Sequence, residues 1–286
     1  MVVYVGEKRY AFKVHLVGSF GDIPSVSEMN FLSGHMSYWG CRFCTIRSSR
    51  VKNTMCFGKA TNDEEDPVRL RTIDEFKNGD LEHGIKEPSI FRNLPSFTST
   101  SFIGLDEFHM FGLNIAKQLV KFLKGEGETI LKLKHRYWSR LGASIKEQGQ
   151  YLPCIFDGEM KDVLSNTKHA RGVDYMLFLK YIVPTFVTEQ IQVQQTETSV
   201  KKNNQEDIDA AIEALSTISK ICSIATQYDI SNAELQELDK LIPLWHNFFV
   251  KYLPEEKYNI NQHYLLHVTD LIRDMGSLSK HGAKNT

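Results

Sequence analysis

Gly40-Cys41-Arg42-Phe43-Cys44 is answered, 219 positions after its second cysteine, by His263-Tyr264-Leu265-Leu266-His267. Two cysteines in CxxC spacing on a turn can aim both thiolates at one tetrahedral zinc ion, but a single pair supplies only half of a structural site. The same spacing also serves redox chemistry. Histidines at i and i+4 on a helix share a face, as a chelating pair must. No glutamate follows His263, which argues against the catalytic zinc of a protease. Taken alone, two helical histidines are more often surface or core residues. Together, Cys41, Cys44, His263 and His267 compose a Cys2His2 set that would staple the start of the chain to its end. His35, Cys56 and His109 remain open as alternative local ligands.

Between the two pairs the pattern is helical. Phe108, Phe111, Ile115, Leu119 and Phe122 recur at spacings of three and four, with Gly125 as a stop. Tyr175, Leu177, Phe178, Tyr181, Ile182 and Phe186 predict a buried helix bent or ended by Pro184. Ile208, Ala211, Ile212, Leu215, Ile218, Cys222 and Ala225 form an amphipathic stripe. Ser231 with Glu234 is a capping box that opens another helix. The Gln-, Thr-, Lys- and Asn-rich stretch from Thr188 to Gln205 reads as a solvated linker. A last helix is predicted over Gln262 to Met275, stopped by Gly276.

The beginning of the chain is different. Val2 to Val5 is β-prone, Gly6 to Arg9 supplies a turn, and Tyr10, Phe12, Val14 and Leu16 alternate along a second strand predicted over Tyr10 to Val17. The expected class is α+β, mainly α: a partial core made of the N-terminal β-hairpin and the C-terminal helix, interrupted by a large α-helical insertion. The boundaries drawn are residues 1–56 for the start of the core with the cysteine half-site, 57–105 for an irregular connection, 106–255 for the insertion, and 256–286 for the return with the histidine half-site.

A length of 286 residues, 42% hydrophobic and 24% charged, accommodates a large core and excludes a disordered or collagen-like chain. No apolar run approaches the roughly 18 residues of a membrane span; the best, Tyr175 to Val187, is cut by Lys180 and Pro184. Met1 to Lys8 lacks the basic start and cleavage site of a secretory signal, and five cysteines are too few for a disulfide scaffold. An intracellular protein, nuclear or cytoplasmic, is expected. The net charge is −1, yet five basic residues and no acid fall between positions 30 and 60, and eight basic against three acidic between 112 and 150. Such local excess suits a phosphate-facing surface, although it is also ordinary variation along a solvated chain. Arg42, Arg47, Arg50 and Lys52 are the candidate DNA contacts.

Two acids stand out. Asp22 follows a predicted strand and Gly18-Ser19-Phe20-Gly21, a placement that exposes a carboxylate to a ligand or metal, although a loop carboxylate with no role is the commoner outcome. Asp106, in Asp106-Glu107-Phe108-His109, opens a helix and also reads as a first-turn acid that stabilises the helix dipole. Asp22, Asp106 and His109 are the polar residues expected nearest a common centre.

The order and spacing of these pieces resemble the transposases of the CACTA (En/Spm) group. The resemblance is carried by Gly21-Asp22-Ile23-Pro24, by Phe31 to His35 leading to the cysteine pair, and by Asp106 to His109 followed by Phe111-Gly112-Leu113. It also takes in Arg171 to Tyr175, Tyr181 to Pro184, the histidine pair and Ile272 to Leu278. It implies an RNase H-like catalytic core split by a helical insertion, DDE chemistry with two Mg²⁺ or Mn²⁺ ions, a structural Zn²⁺ at the Cys2His2 set, and DNA partners (transposon ends and target) bound by a homo-oligomer. Asp22 would be the second acid of the triad and a magnesium ligand, with Asp106 and His109 as accessory residues. The first acid would lie on a strand upstream and the final glutamate beyond the histidine pair. Neither is in this sequence, so the expectation is an internal transposase segment that does not cut DNA alone. The rival expectation is a zinc-stabilised DNA- or protein-binding protein without catalysis.

Overall fold

β-Prone residues on either side of Gly6, which adopts φ +61°, close a tight hairpin in the computed structural model. Strand β1 (Val2–Val5) pairs antiparallel with β2 (Lys8–Ala11), Val2 facing Ala11 and Val5 facing Lys8. The structure describes residues 2–149, 151, 161–165, 170–197 and 204–281. The second strand starts two residues before the predicted one and stops at Ala11. Phe12, Val14 and Leu16 are exposed, Val14 at 71%. Past Ala11 the alternation does not continue as a paired strand, and two strands alone seldom sustain a sheet.

Beyond the hairpin, Ser19 forms an isolated parallel bridge with Ile103, donating its N–H to Phe102 O at 2.7 Å and accepting from Gly104 N at 3.0 Å. Helix α1 (Ile23–Met29) follows, capped by Asp22 with Pro24 in its first turn. A second hairpin joins β3 (Ser49–Val51) to β4 (Thr54–Cys56). The irregular stretch to residue 105 is punctuated by α2 (Ile73–Asn78), which opens on a Thr72/Glu75 capping box. Val26, Phe76, Ile85, Phe97 and Ile103 gather here into a small core of their own.

The rest is helical. Phe108–Ala116 is wound with π-type turns and runs into α3 (Lys117–Leu123), ended by Gly125 at φ +98°. Then come α4 (His135–Gly149) and α5 (Gly172–Leu177), the latter continuing through π turns at Phe178–Val187 into α6 (Thr188–Glu197). The wide turns hold Pro184 inside an unbroken run, where a regular α-helix would lose a bond and clash. Tyr181 and Phe186 are exposed, because only one face of that run meets the core. The predicted linker is likewise helical from Thr188 to Glu197; residues 198–203 lie outside the described set.

Helices α7 (Gln205–Ala225) and α8 (Asn232–Tyr252) form an antiparallel pair, and the predicted stripe from Ile208 to Ala225 is buried apart from partly covered Ile212. The Ser231/Glu234 capping box is present. The predicted last helix is three pieces: α9 (Ile260–Tyr264), a 3-10 turn Leu265–His267, and α10 (Val268–Met275), ended by Gly276 at φ +82°. The described residues are therefore mainly helical with two small antiparallel sheets, an α+β arrangement. No described helix is long and apolar enough to cross a membrane.

Candidate metal centre

The CxxC turn and the α9 segment meet in the main core. Phe57 N–H donates to Tyr258 O at 2.9 Å, which docks the end of the β3–β4 hairpin against the returning chain. Buried Arg71 braces the turn: its Nε donates to Cys41 O at 2.9 Å and its Nη2 to His83 O at 2.8 Å, while its backbone N–H bonds Phe43 O at 2.8 Å. Cys41, Cys44, His263 and His267 consequently face one another, their ligand atoms all within 4.8 Å. Cys44 Sγ is 3.2 Å from His263 Nε2, Cys41 Sγ is 3.6 Å from His267 Nε2, and the two Nε2 atoms are 3.2 Å apart.

Those separations suit zinc. An ion about 2.3 Å from each sulfur and about 2.05 Å from each nitrogen, in tetrahedral array, requires S···N distances near 3.6 Å and N···N near 3.3 Å. The four donors are buried, and they leave no place for the water that a catalytic zinc keeps. Phe43 N–H donates to Cys41 Sγ at 3.3 Å, and Ile46 N–H bonds Cys44, the donors a thiolate pair needs. Burial alone would push the Cys41 thiol up, but hydrogen bonding from Cys44 and the two imidazoles outweigh it and hold it well below the usual range. Cys44 is pushed up by its hydrogen bond to Cys41 and by burial. A divalent cation bound by both sulfurs would displace their protons. The cluster can hold a metal such as zinc. The open alternatives lie elsewhere: Cys56 Sγ donates to Thr54 O at 3.7 Å, His109 pairs with Asp106, and His35 is in no such cluster.

Arg42, between the cysteines, is 1% exposed, so it is not a DNA contact. Its guanidinium lies 5.2 Å from the ring centres of Phe43 and Tyr264, and none of its three side-chain nitrogens has a hydrogen-bond partner. Lys52 is ion-paired to Glu256 at 2.7 Å, while Arg47 and Arg50 are exposed.

Asp22 caps α1 by accepting from Ser25 N–H at 2.8 Å. Hydrogen bonds from Ser25, with smaller attractions to His109 and Arg42, hold its carboxyl below the usual range. The isolated parallel bridge brings the two segments together: Asp22 and Asp106 each lie three residues past a bridged residue, Ser19 and Ile103. Gly104 permits the packing, since a Cβ there would fall 2.1 Å from the Phe20 ring. Asp106 is buried and hydrogen-bonded to the His109 backbone N–H at 3.1 Å and to its ring Nδ1. Asp22, Asp106 and His109 do not close into a cation-chelating cluster. These three residues therefore offer a divalent pair no ready site.

One cluster escapes sequence reading. His83 Nδ1 is 2.7 Å from Asp80 Oδ2 and its Nε2 is 3.0 Å from Asp66 Oδ2, with Glu75 close by but held by Arg69 at 2.6 Å. The Asp80-x-x-His83 spacing is a local signal; Asp66 comes from a separate loop and leaves none. No protein-family model matches the chain, and no curated protein matches it in sequence.

Proposed function

We propose that this chain is the zinc-clamped scaffold of a DDE-type transposase of the CACTA group, with an RNase H-like core split by the helical region, and that by itself it binds DNA without cutting it. The observation that carries the reading is the meeting of the cysteine and histidine pairs across the whole helical region. It is the arrangement the resemblance requires. The isolated parallel bridge between Ser19 and Ile103, three residues before Asp22 and Asp106, is consistent with the same reading.

The zinc is structural in this account. Cys41, Cys44, His263 and His267 would hold it, and the ion would contribute cross-linking rather than a reactive water. Two-metal phosphoryl transfer needs several carboxylates around ions roughly 3.5–4 Å apart. Asp22 caps α1 and Asp106 pairs with His109, and the two do not gather with a third described acid into a chelating group.

The test is incubation of the zinc-loaded protein with labelled duplex DNA and Mg²⁺ or Mn²⁺, reading binding by gel shift and strand breakage on a denaturing gel. Binding without breakage is expected. Metal-dependent breakage that Asp22→Asn abolishes would overturn the claim that the chain is inactive alone. Absence of duplex binding would overturn the transposase reading.

A further inference from the structure

The helical run that begins beside Asp106 ends in three lysines on one side. Lys117, Lys121 and Lys124 stand at i, i+4 and i+7, and all three are exposed. They rim an open pocket of about 290 Å³ completed by Val120, Glu126 and Tyr175. The one acid is already engaged, since Glu126 pairs with Lys257 and lies 3.9 Å from Lys121 Nζ. Lys124 Nζ is steadied 5.1 Å above the Trp138 ring. Beneath them, Tyr175 on α5 is 1% exposed, and its hydroxyl has no hydrogen-bond partner.

A buried hydroxyl without an acceptor is rare in folded proteins and calls for a partner. Three exposed lysines around one opening call for negative charge. A single group answers both: an anion with several oxygens, one accepting the Tyr175 O–H and the others meeting the lysines. Lysine binds phosphate as a compact point charge. We propose that this pocket is a phosphoryl-anion site. Its ligand is a backbone phosphodiester if the DNA reading above holds, on which that half of the inference rests, and free phosphate otherwise. The surrounding stretch from 112 to 150, with eight basic residues against three acids, suits a polyanion passing over it.

The experiment compares wild type, Lys117→Ala/Lys121→Ala and Tyr175→Phe with two probes: inorganic phosphate, followed by phosphorus NMR titration, and a random-sequence DNA duplex, followed by fluorescence anisotropy over a salt series. Tyr175→Phe keeps the ring in the core, and thermal melts verify that both variants fold. The lysine variant is expected to weaken duplex binding about tenfold or more and to lower the salt slope by about 1–2, because each phosphate contact contributes roughly 0.9. Tyr175→Phe is expected to weaken both probes several-fold without lowering the melting temperature. Loss of phosphate binding in the variants, with no duplex binding by wild type, supports the pocket and defeats the DNA reading. Unchanged binding of both probes by the lysine variant overturns the pocket, while duplex binding that persists leaves the DNA reading standing.

Discussion

Arg42 concentrates the residue-scale physics of the site. A buried charge is costly unless paired and hydrogen-bonded, and this guanidinium has two aromatic rings and no hydrogen-bond acceptor. Replacing a buried ion by a packed hydrophobe of similar volume is often neutral or stabilising by roughly 1–4 kcal/mol. Arg42→Met is therefore expected to keep the metal and to unfold at the same or higher denaturant concentration. A clear drop in the midpoint would mean that the charge is matched by a group the account has missed. The metal ligands are legible in sequence because CxxC and HxxxH are short-range patterns, each sufficient to aim two side chains together. The burial of Arg42 is not legible: in sequence a cation between two cysteines looks like surface, and the ring of Tyr264, from a distant segment, packs with Phe43 against it.

Among the elements, the loops around His83 form a proton-dependent clasp. Burial alone would pull its pKa down, but the hydrogen bonds to Asp66 and Asp80 outweigh it and raise the value above the ordinary one. A raised folded pKa contributes stability that is fully present below the unfolded value of about 6.5 and is lost as pH rises through the folded value. Denaturant titrations of wild type and His83→Gln should thus show the wild-type advantage largest near pH 6 and shrinking at higher pH; an advantage that grows with pH would contradict the clasp. The crossing of the first helical run with α5 rests on Gly112, where a Cβ would come 2.4 Å from the Gly172 carbonyl oxygen. Backbone cannot yield as a side chain does, so Gly112→Ala should cost at least the roughly 1–3 kcal/mol of ordinary overpacking. A melting temperature equal to wild type would disprove the close crossing. Stripes such as Ile208 to Ala225 and the Ser231/Glu234 box are readable because one helix face or four residues contain the signal. The π turns around Pro184 and the helical Thr188–Glu197 are not, because neighbouring helices select them over local preference.

Across the whole molecule, the cysteine turn and the histidine segment are the far ends of a chain whose middle is helical. The α7–α8 helices pack against each other within the same core that holds Cys41 and Cys44. The clamp fixes how the first and last segments meet, which sequence spacing alone leaves undetermined. The most direct test is zinc K-edge absorption spectroscopy on protein loaded with one equivalent of Zn²⁺. The account predicts two sulfur neighbours at about 2.3 Å and two nitrogen neighbours at about 2.0–2.1 Å. A first shell of oxygen and nitrogen only, or failure to retain the ion, would contradict it.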